Sequence, residues 1–264
     1  MDAENLVRDH YHRSDLEAVV LDALARVGVD ATTLTVDDLS GLDQLHAGSV
    51  AATERLFGAL DVHADSELLD VGSGVGGPAR LAAARHGCHV TGIDLSPAFV
   101  ELARALTARV GLSDSVSFEV GSATSMPFAD ASFDRAMLLH VGMNIERKDL
   151  VIAEVRRVLR PDGRFAVYDQ MRVGDGDLTY PLPWADDERS SFVERRETYR
   201  QFLTDAGFVV ERDDELLDPA AGPPPGPLTP ADLFGPGFVE RVLNNLAAAA
   251  AGILSPVLMV ARVA

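Results

Sequence analysis

Residues 68–80 read LLDVGSGVGGPAR. An apolar run closes on Asp70 and Val71, glycines follow at positions 72, 74, 76 and 77, and a helix-like sequence comes next. Glycine at such a junction lets the backbone turn tightly and approach a ligand closely. In an open α/β sheet, ligands bind beyond the carboxyl ends of the strands, which is where these glycines fall. Gly72, Gly74 and Gly77 satisfy the G-x-G-x-x-G spacing of a dinucleotide site, and Asp94 lies 20 residues after Gly74. That spacing suits a carboxylate gripping the two hydroxyls of a ribose. Taken alone, the motif fits a nicotinamide cofactor as well as another nucleoside.

The surrounding sequence has the grammar of a parallel α/β sheet. Short apolar runs (ELLDV, CHVTGID, SVSFEV, FDRAMLLH, RFAVYDQ) alternate with stretches of helical spacing over 75–86, 96–110 and 147–160, so helices are expected on both faces of the sheet. Ser96 and Pro97 supply an N-cap and a first helical position. Upstream, 14–27 and 48–60 read as helices joined by a polar connector. After residue 170 the alternation pauses at VGDGDLTYPLPWADDERSS, a loop excursion with the single tryptophan of the chain. A helix near 195–206, a strand AGFVVERD, the proline-rich DPAAGPPPGPLTP, a helix from 230 and a last strand PVLMVARVA complete it. The proline run reads as a stiff connector.

Composition excludes several classes. With 23 Lys and Arg against 41 Asp and Glu, the formal charge of the 264 residues is −18. Such a surface repels phosphate backbones and anionic lipid, so neither nucleic acid nor a membrane surface is an expected partner. The one cysteine, Cys88, lies in a strand-like run and reads as a buried structural thiol. Metal-type Cys/His spacing is missing. The charged N-terminus does not read as a signal peptide, and Gly252, Ser255 and Pro256 interrupt the apolar C-terminal stretch. The expected location is the cytoplasm.

Asp70, two residues before the first glycine, separates the cofactor readings. A carboxylate there repels a pyrophosphate and favours a cationic cofactor. The arrangement resembles the class I S-adenosylmethionine (SAM)-dependent methyltransferases of the small-molecule type 11 kind. LLDVGSGVGGPARLA is similar to that family's first motif, VTGIDLSPAFVELA to its second, and GSATSMPFADASFDRA and VRRVLRPDGRFAVYD to later ones. A closer similarity is to the branch of sarcosine/dimethylglycine-type N-methyltransferases and actinobacterial natural-product enzymes, through DHYHRSDLEAVVLDAL, LHAG and HVGMNIERK. The resemblance implies a Rossmann-like, doubly wound, seven-stranded, mostly parallel sheet whose last strand is antiparallel. Residues 1–64 would form an N-terminal helical cap and 65–264 the SAM-binding core, with 171–195 as an acceptor-site insertion.

The resemblance also implies residue roles. Gly72, Gly74 and Gly76 shape the loop around the methionyl part of SAM, and Asp70 orients that loop. Asp94 binds the ribose, Leu95 packs on the adenine, and Ser122 and Ala123 lie at the adenine edge, where relatives usually carry Gly-Asp-Ala. Leu138-Leu139 stands where relatives often have Ser-Gln, which makes an apolar wall, and Leu139 is assigned to the cofactor. Tyr11 closes the cofactor pocket or packs a helix. His140, at the end of strand four, faces the methyl group as a base or substrate contact, or else bonds backbone at the strand end. His46 lies in the connector that the family folds over the cofactor, and its alternative role is capping. Met143, Asn144 and Trp184 are acceptor-pocket candidates, against turn chemistry for the first two and surface packing for the tryptophan.

The function implied is methyl transfer from SAM, with S-adenosylhomocysteine (SAH) as product, to an amine, hydroxyl or carbon nucleophile of a specialised small metabolite. The alternative is a non-methylating cyclase or isomerase of the same fold that uses SAM as a fixed cation. A dehydrogenase is disfavoured by the missing Tyr-x-x-x-Lys pair and by the Pro-Asp-Gly turn before strand five. No metal is expected, and the chain is read as a monomer or homodimer.

Overall fold

Seven strands carry the alternation. They are β1 (Glu67–Val71), β2 (His89–Asp94), β3 (Val116–Val120), β4 (Phe133–Leu139), β5 (Leu159–Arg172), β6 (Phe208–Glu215) and β7 (Leu254–Val263). They form one sheet in the order β3-β2-β1-β4-β5-β7-β6 in a computed structural model that describes residues 16–216 and 228–264. Strands β1 to β5 pair in parallel, while β7 runs antiparallel to both β5 and β6. The expected Rossmann-like sheet with an antiparallel last strand is therefore present. The chain leaves β1 toward β3 and returns to β4 on its other side, which opens a crevice above β1 and β4.

The helices are α1 (Leu16–Arg26), α2 (Val36–Asp43), α3 (Ser49–Leu60), α4 (Gly77–His86), α5 (Pro97–Arg109), α6 (Lys148–Val158), α7 (Arg196–Asp205), α8 (Pro230–Phe234) and α9 (Phe238–Ala250). Strand alternation sends successive side chains to opposite faces. Leu68, Met137, Leu139, Ala166 and Tyr168 meet Leu56 and Phe57 of α3 and Ala82 of α4. Leu69, Val71, Leu138, Phe165 and Val167 meet Val151 and Val155 of α6 and Leu203 of α7. Leu138 and Leu139 thus do not form one wall of the site. Leu138 is core on the α6 side, and Leu139 alone borders the crevice.

The N-terminal helices pack on α5 and α8 through Val20, Leu24, Leu42, Phe99 and Leu233. Helix α2 starts on a capping box in which Thr35 accepts from Asp38 N and the Asp38 carboxylate accepts from Thr35 N. The segment between β5 and α7 buries Leu182 and Trp184 against Met143, Ala248 and Leu254, so Trp184 is a packed wall residue and not a surface one. Cys88 is buried and free, as expected. Tyr11 and the prolines at 223–225 lie outside the described residues. Among the described residues no helix is long and apolar enough to cross a membrane, and no cluster of His, Cys, Asp and Glu could hold a metal.

Candidate cofactor and acceptor site

The crevice holds a cavity of about 1440 Å³. Its walls come from the glycine loop, the ends of β2 and β4, the α2–α3 connector, the 141–147 segment and α9. Every site residue expected from sequence within the described chain borders it, except Gly76.

The glycine loop is set by backbone demands. Gly72 N and Ser73 N both donate to Ile93 O, at 2.8 and 3.0 Å, which hangs the loop from β2. Gly72 has φ +72°, and a Cβ there would lie 2.5 Å from the Val141 methyls. Gly74, at φ +52°, has no atom within 4 Å of a would-be Cβ, so its backbone borders open space. Gly74 N donates to Asp94 Oδ2 and Ser96 N to Asp94 Oδ1, each at 2.8 Å. Asp94 therefore braces the loop as well as facing the cavity. Burial pushes its carboxyl up, and the two backbone N–H groups pull it back. Gly76 has a different role: a Cβ there would lie 2.6 Å from Phe118 and 2.8 Å from Arg80, so it serves packing under the loop.

Asp70 is 2 % exposed, and its Oδ2 has no hydrogen-bond partner. Burial, and then the charge of Asp94, push its carboxyl up to about 8, against a smaller opposing pull from Arg80. At the far edge, Ser122 and Ala123 border the cavity. Ser122 Oγ pairs with Thr124 Oγ1 at 2.8 Å and accepts from Thr124 N at 3.1 Å, so this hydroxyl is partly committed within its own turn.

Three rings meet beyond the loop. The His140 ring lies 5.0 Å from that of Tyr168 and 5.9 Å from that of His46. His140 has φ +51°, a left-handed conformation that costs a non-glycine residue about 1–3 kcal/mol, and its N–H donates to Tyr168 O at 2.7 Å. Tyr168 Oη donates to Ala47 O at 3.0 Å and so fixes the α2–α3 connector. His46 Nε2 lies 2.9 Å from Thr53 Oγ1 and 3.2 Å from Gln44 Oε1. Burial lowers His46 to about 4 and holds His140 well below the usual histidine range, with His46 adding to the second effect. Both imidazoles are neutral at pH 7, and His140 Nε2 has no partner.

The 141–147 segment is anchored from below by residues the sequence did not single out. Tyr199 Oη donates to Asp169 Oδ2, and a Cβ on Gly142 would lie 2.0 Å from that hydroxyl. Lys148, 3 % exposed, donates to Ile145 O and to Phe192 O, and burial draws it down to about 8. Asn144 Nδ2 donates to Trp184 O and Phe192 N to Met143 O, both at 2.8 Å. These bonds zip the segment after β4 to the insertion after β5. Strand parity was the available clue: Asp169 falls on the opposite face from Tyr168 and Gln170.

Residues 69–167 match the family described as methyltransferase domain. Over those residues the chain is similar to methyltransferases. The methyltransferase GfsG of Streptomyces halstedii is 41 % identical over 132 residues, which is 50 % of this chain and 48 % of that protein. The chain thus spans about half the length of that curated relative. A geranyl diphosphate C-methyltransferase from Streptomyces coelicolor, solved with Mg²⁺, geranyl diphosphate and SAH, superposes with a TM-score of 0.70 at 18 % identity, over 100 % of this chain and 98 % of that one. The [4+2]-cyclase SpnF does so at 0.69 and 21 %, over 100 % and 97 %. At such identities these two share the fold of the methyltransferase domain and nothing finer. SAM fits the residues present: the open face of Gly74 admits a ligand against backbone, and the Asp70 carboxyl, whose Oδ2 has no partner, suits a cation.

Proposed function

We propose that the protein transfers the methyl group of SAM to a hydroxyl of a small molecule. The observation that carries this reading is the imidazole of His140, neutral, buried beside the glycine loop, and without a protein partner for Nε2. Gly72 and Gly74 would seat the methionyl part, Asp70 the positive end, Asp94 the ribose, and Leu95, Ser122 and Ala123 the adenine. Leu139 would border the cofactor from β4. Bound there, SAM supplies a sulfonium-activated methyl group, the sulfur keeping the bonding pair as the acceptor oxygen takes the carbon.

The chain's own work is alignment, exclusion of water and removal of one proton. Alignment of this kind supplies about 7–11 kcal/mol of a barrier. A hydroxyl, unlike a free amine, must lose its proton, and the His140 imidazole accepts it. His46 acts through His140: its ring lies 5.9 Å away, helps keep the His140 imidazole neutral, and is held in place by Gln44 and Thr53. Met143, Asn144 and Trp184 wall the acceptor side.

The test is incubation with SAM carrying an isotopic methyl group and a panel of hydroxylated small molecules, following both SAH and labelled products. Labelled ether matched mole for mole by SAH is the expected result. Acceptor consumed without label transfer would overturn methylation and favour the cyclase-type reading that a shared fold leaves open.

A further inference from the structure

The cavity is larger than its cofactor needs. Ligand sites commonly measure about 300–1,000 Å³, against about 1440 Å³ here. The cavity extends to walls formed by α9 and by Pro183 and Trp184 of the insertion after β5. Helix α9 presents Val239, Val242, Leu243 and Leu246, spaced three and four residues apart along one face. Val239 is 53 % and Leu246 is 56 % exposed, and Ala248 is the one residue of the helix that is buried. Val239, Val242 and Leu246 line the cavity, as do Trp184 and Pro183. An apolar stripe so exposed faces a space that apolar matter can fill.

The charge of this lobe is as informative as its shape. Among the described lining residues the only Lys or Arg is Arg147, and its guanidinium is held by Asp149 at 2.6 Å. The lining carboxylates are Asp43, Asp70, Asp94 and Glu146. An anionic acceptor would meet repulsion and no free cation, at desolvation cost. Among the described lining residues two amide oxygens lack a partner, Asn245 Oδ1 on α9 and Gln170 Oε1 on β5. Gln170, on β5, is 2 % exposed and lines the cavity, and its Oε1 has no partner. It follows Tyr168 by two residues, so it shares the face of the His140–Tyr168 ring pair, about 6.6 Å further along the strand. A buried amide oxygen left unpaired is destabilising, and an incoming hydrogen-bond donor would relieve it.

We propose that the lobe under α9 binds a bulky, uncharged, mostly apolar acceptor bearing oxygen substituents, and that the Gln170 carboxamide is the specificity-determining group that hydrogen-bonds one of them. This rests on the methyl-transfer reading, because it places the acceptor beside His140. Gln170 sets which oxygenated scaffold is held and in which orientation; it does not take part in proton removal.

The test uses the full chain loaded with SAH and two probes on one rigid scaffold, testosterone and testosterone sulfate. SAH affinity is first measured by calorimetry. Failure to bind SAH sinks the methyl-transfer reading itself, whereas SAH binding with no binding of testosterone sinks this proposal alone. Testosterone is expected to bind at least tenfold more tightly than its sulfate. Gln170→Leu is expected to weaken testosterone about fivefold to tenfold, the equivalent of one hydrogen bond, with SAH affinity unchanged. Val242→Asp, on the exposed stripe, is expected to abolish probe binding and again spare SAH. Equal binding of the sulfate, or an unchanged affinity in Gln170→Leu, overturns the proposal. So does sedimentation showing a dimer that Val242→Asp dissolves, since a second copy would then cover the stripe.

Discussion

Arg80 and Asp43 form an ion pair sealed from water, with Nη2 2.8 Å from Oδ2 and side chains 0 % and 1 % exposed. The same Nη2 donates to Val75 O at 2.7 Å, and Nη1 reaches Ala103 O and Thr107 Oγ1. One guanidinium therefore joins α2, the glycine loop and α5. A Cβ on Gly77 would lie 2.2 Å from Asp43 O, so the third glycine of the fingerprint serves this same close approach. Removing one partner of a buried pair leaves an uncompensated charge and costs about 3–5 kcal/mol. Asp43→Ala is expected to lower unfolding stability by that amount in urea titration, and to weaken SAH binding because the loop loses its anchor. A variant as stable as the parent would show that the pair is idle.

Asp70 is expected to trade stability against cofactor binding. Its carboxyl titrates near 8 in the folded chain against about 3.8 when unfolded. The folded state thus holds the proton more tightly, and its stability falls as pH rises from about 4 to 8. Asp70→Asn removes that penalty. At pH 8 without ligand its Tm should rise, at roughly 2–4 °C per kcal/mol for a chain of this size. SAM affinity should fall about tenfold. Calorimetry in buffers of different ionisation enthalpy should detect proton release when SAM binds the parent below pH 8, and none in the variant.

The histidine pair sets the acid limb. Folded His46 titrates near 4, and His140 lies well below the ordinary value of 6.5. Unfolded chains take up these protons first, so stability is full above about 6.5 and is lost as pH falls toward 4. His46 alone accounts for on the order of 2 kcal/mol by pH 5. The same depression keeps His140 available as a base, so kcat/KM should stay flat from pH 8 to below 6.5. His140→Ala should cut kcat about 10²- to 10⁴-fold with SAH affinity retained. An acid limb centred on 6.5 in the parent would argue against His140 as the group being titrated.

The anchor under the 141–147 segment predicts a positioning effect. Gly142→Ala would drive a methyl into the Tyr199–Asp169 contact, and displacement of the segment should raise KM for the acceptor and lower kcat. Tyr199→Phe leaves the Asp169 carboxylate short of a donor and should cost about 1–3 kcal/mol of stability. Reading SAH affinity alongside separates the two: it should be unchanged in both variants if the segment serves the acceptor alone.

The antiparallel last strand was expected only from the family resemblance, but the α/β alternation, the glycine loop and its two strand-end carboxylates were legible in the residues themselves. Those features rest on local chemistry: glycines where φ is positive at 72 and 74, a carboxylate at each of two strand ends, and period-two apolar runs. The packed fold settled the rest. It separated Leu138 from Leu139, assigned Gly76 to packing, brought Gln44, Thr53 and Tyr168 to the histidines, and set Gln170 in the cavity wall. Arg80 meets Asp43, 37 residues away, and no spacing in the sequence marks the pair. Spacing along a strand or helix is fixed by the backbone period and survives in sequence. Contacts between elements depend on how whole faces pack, so no local window records them.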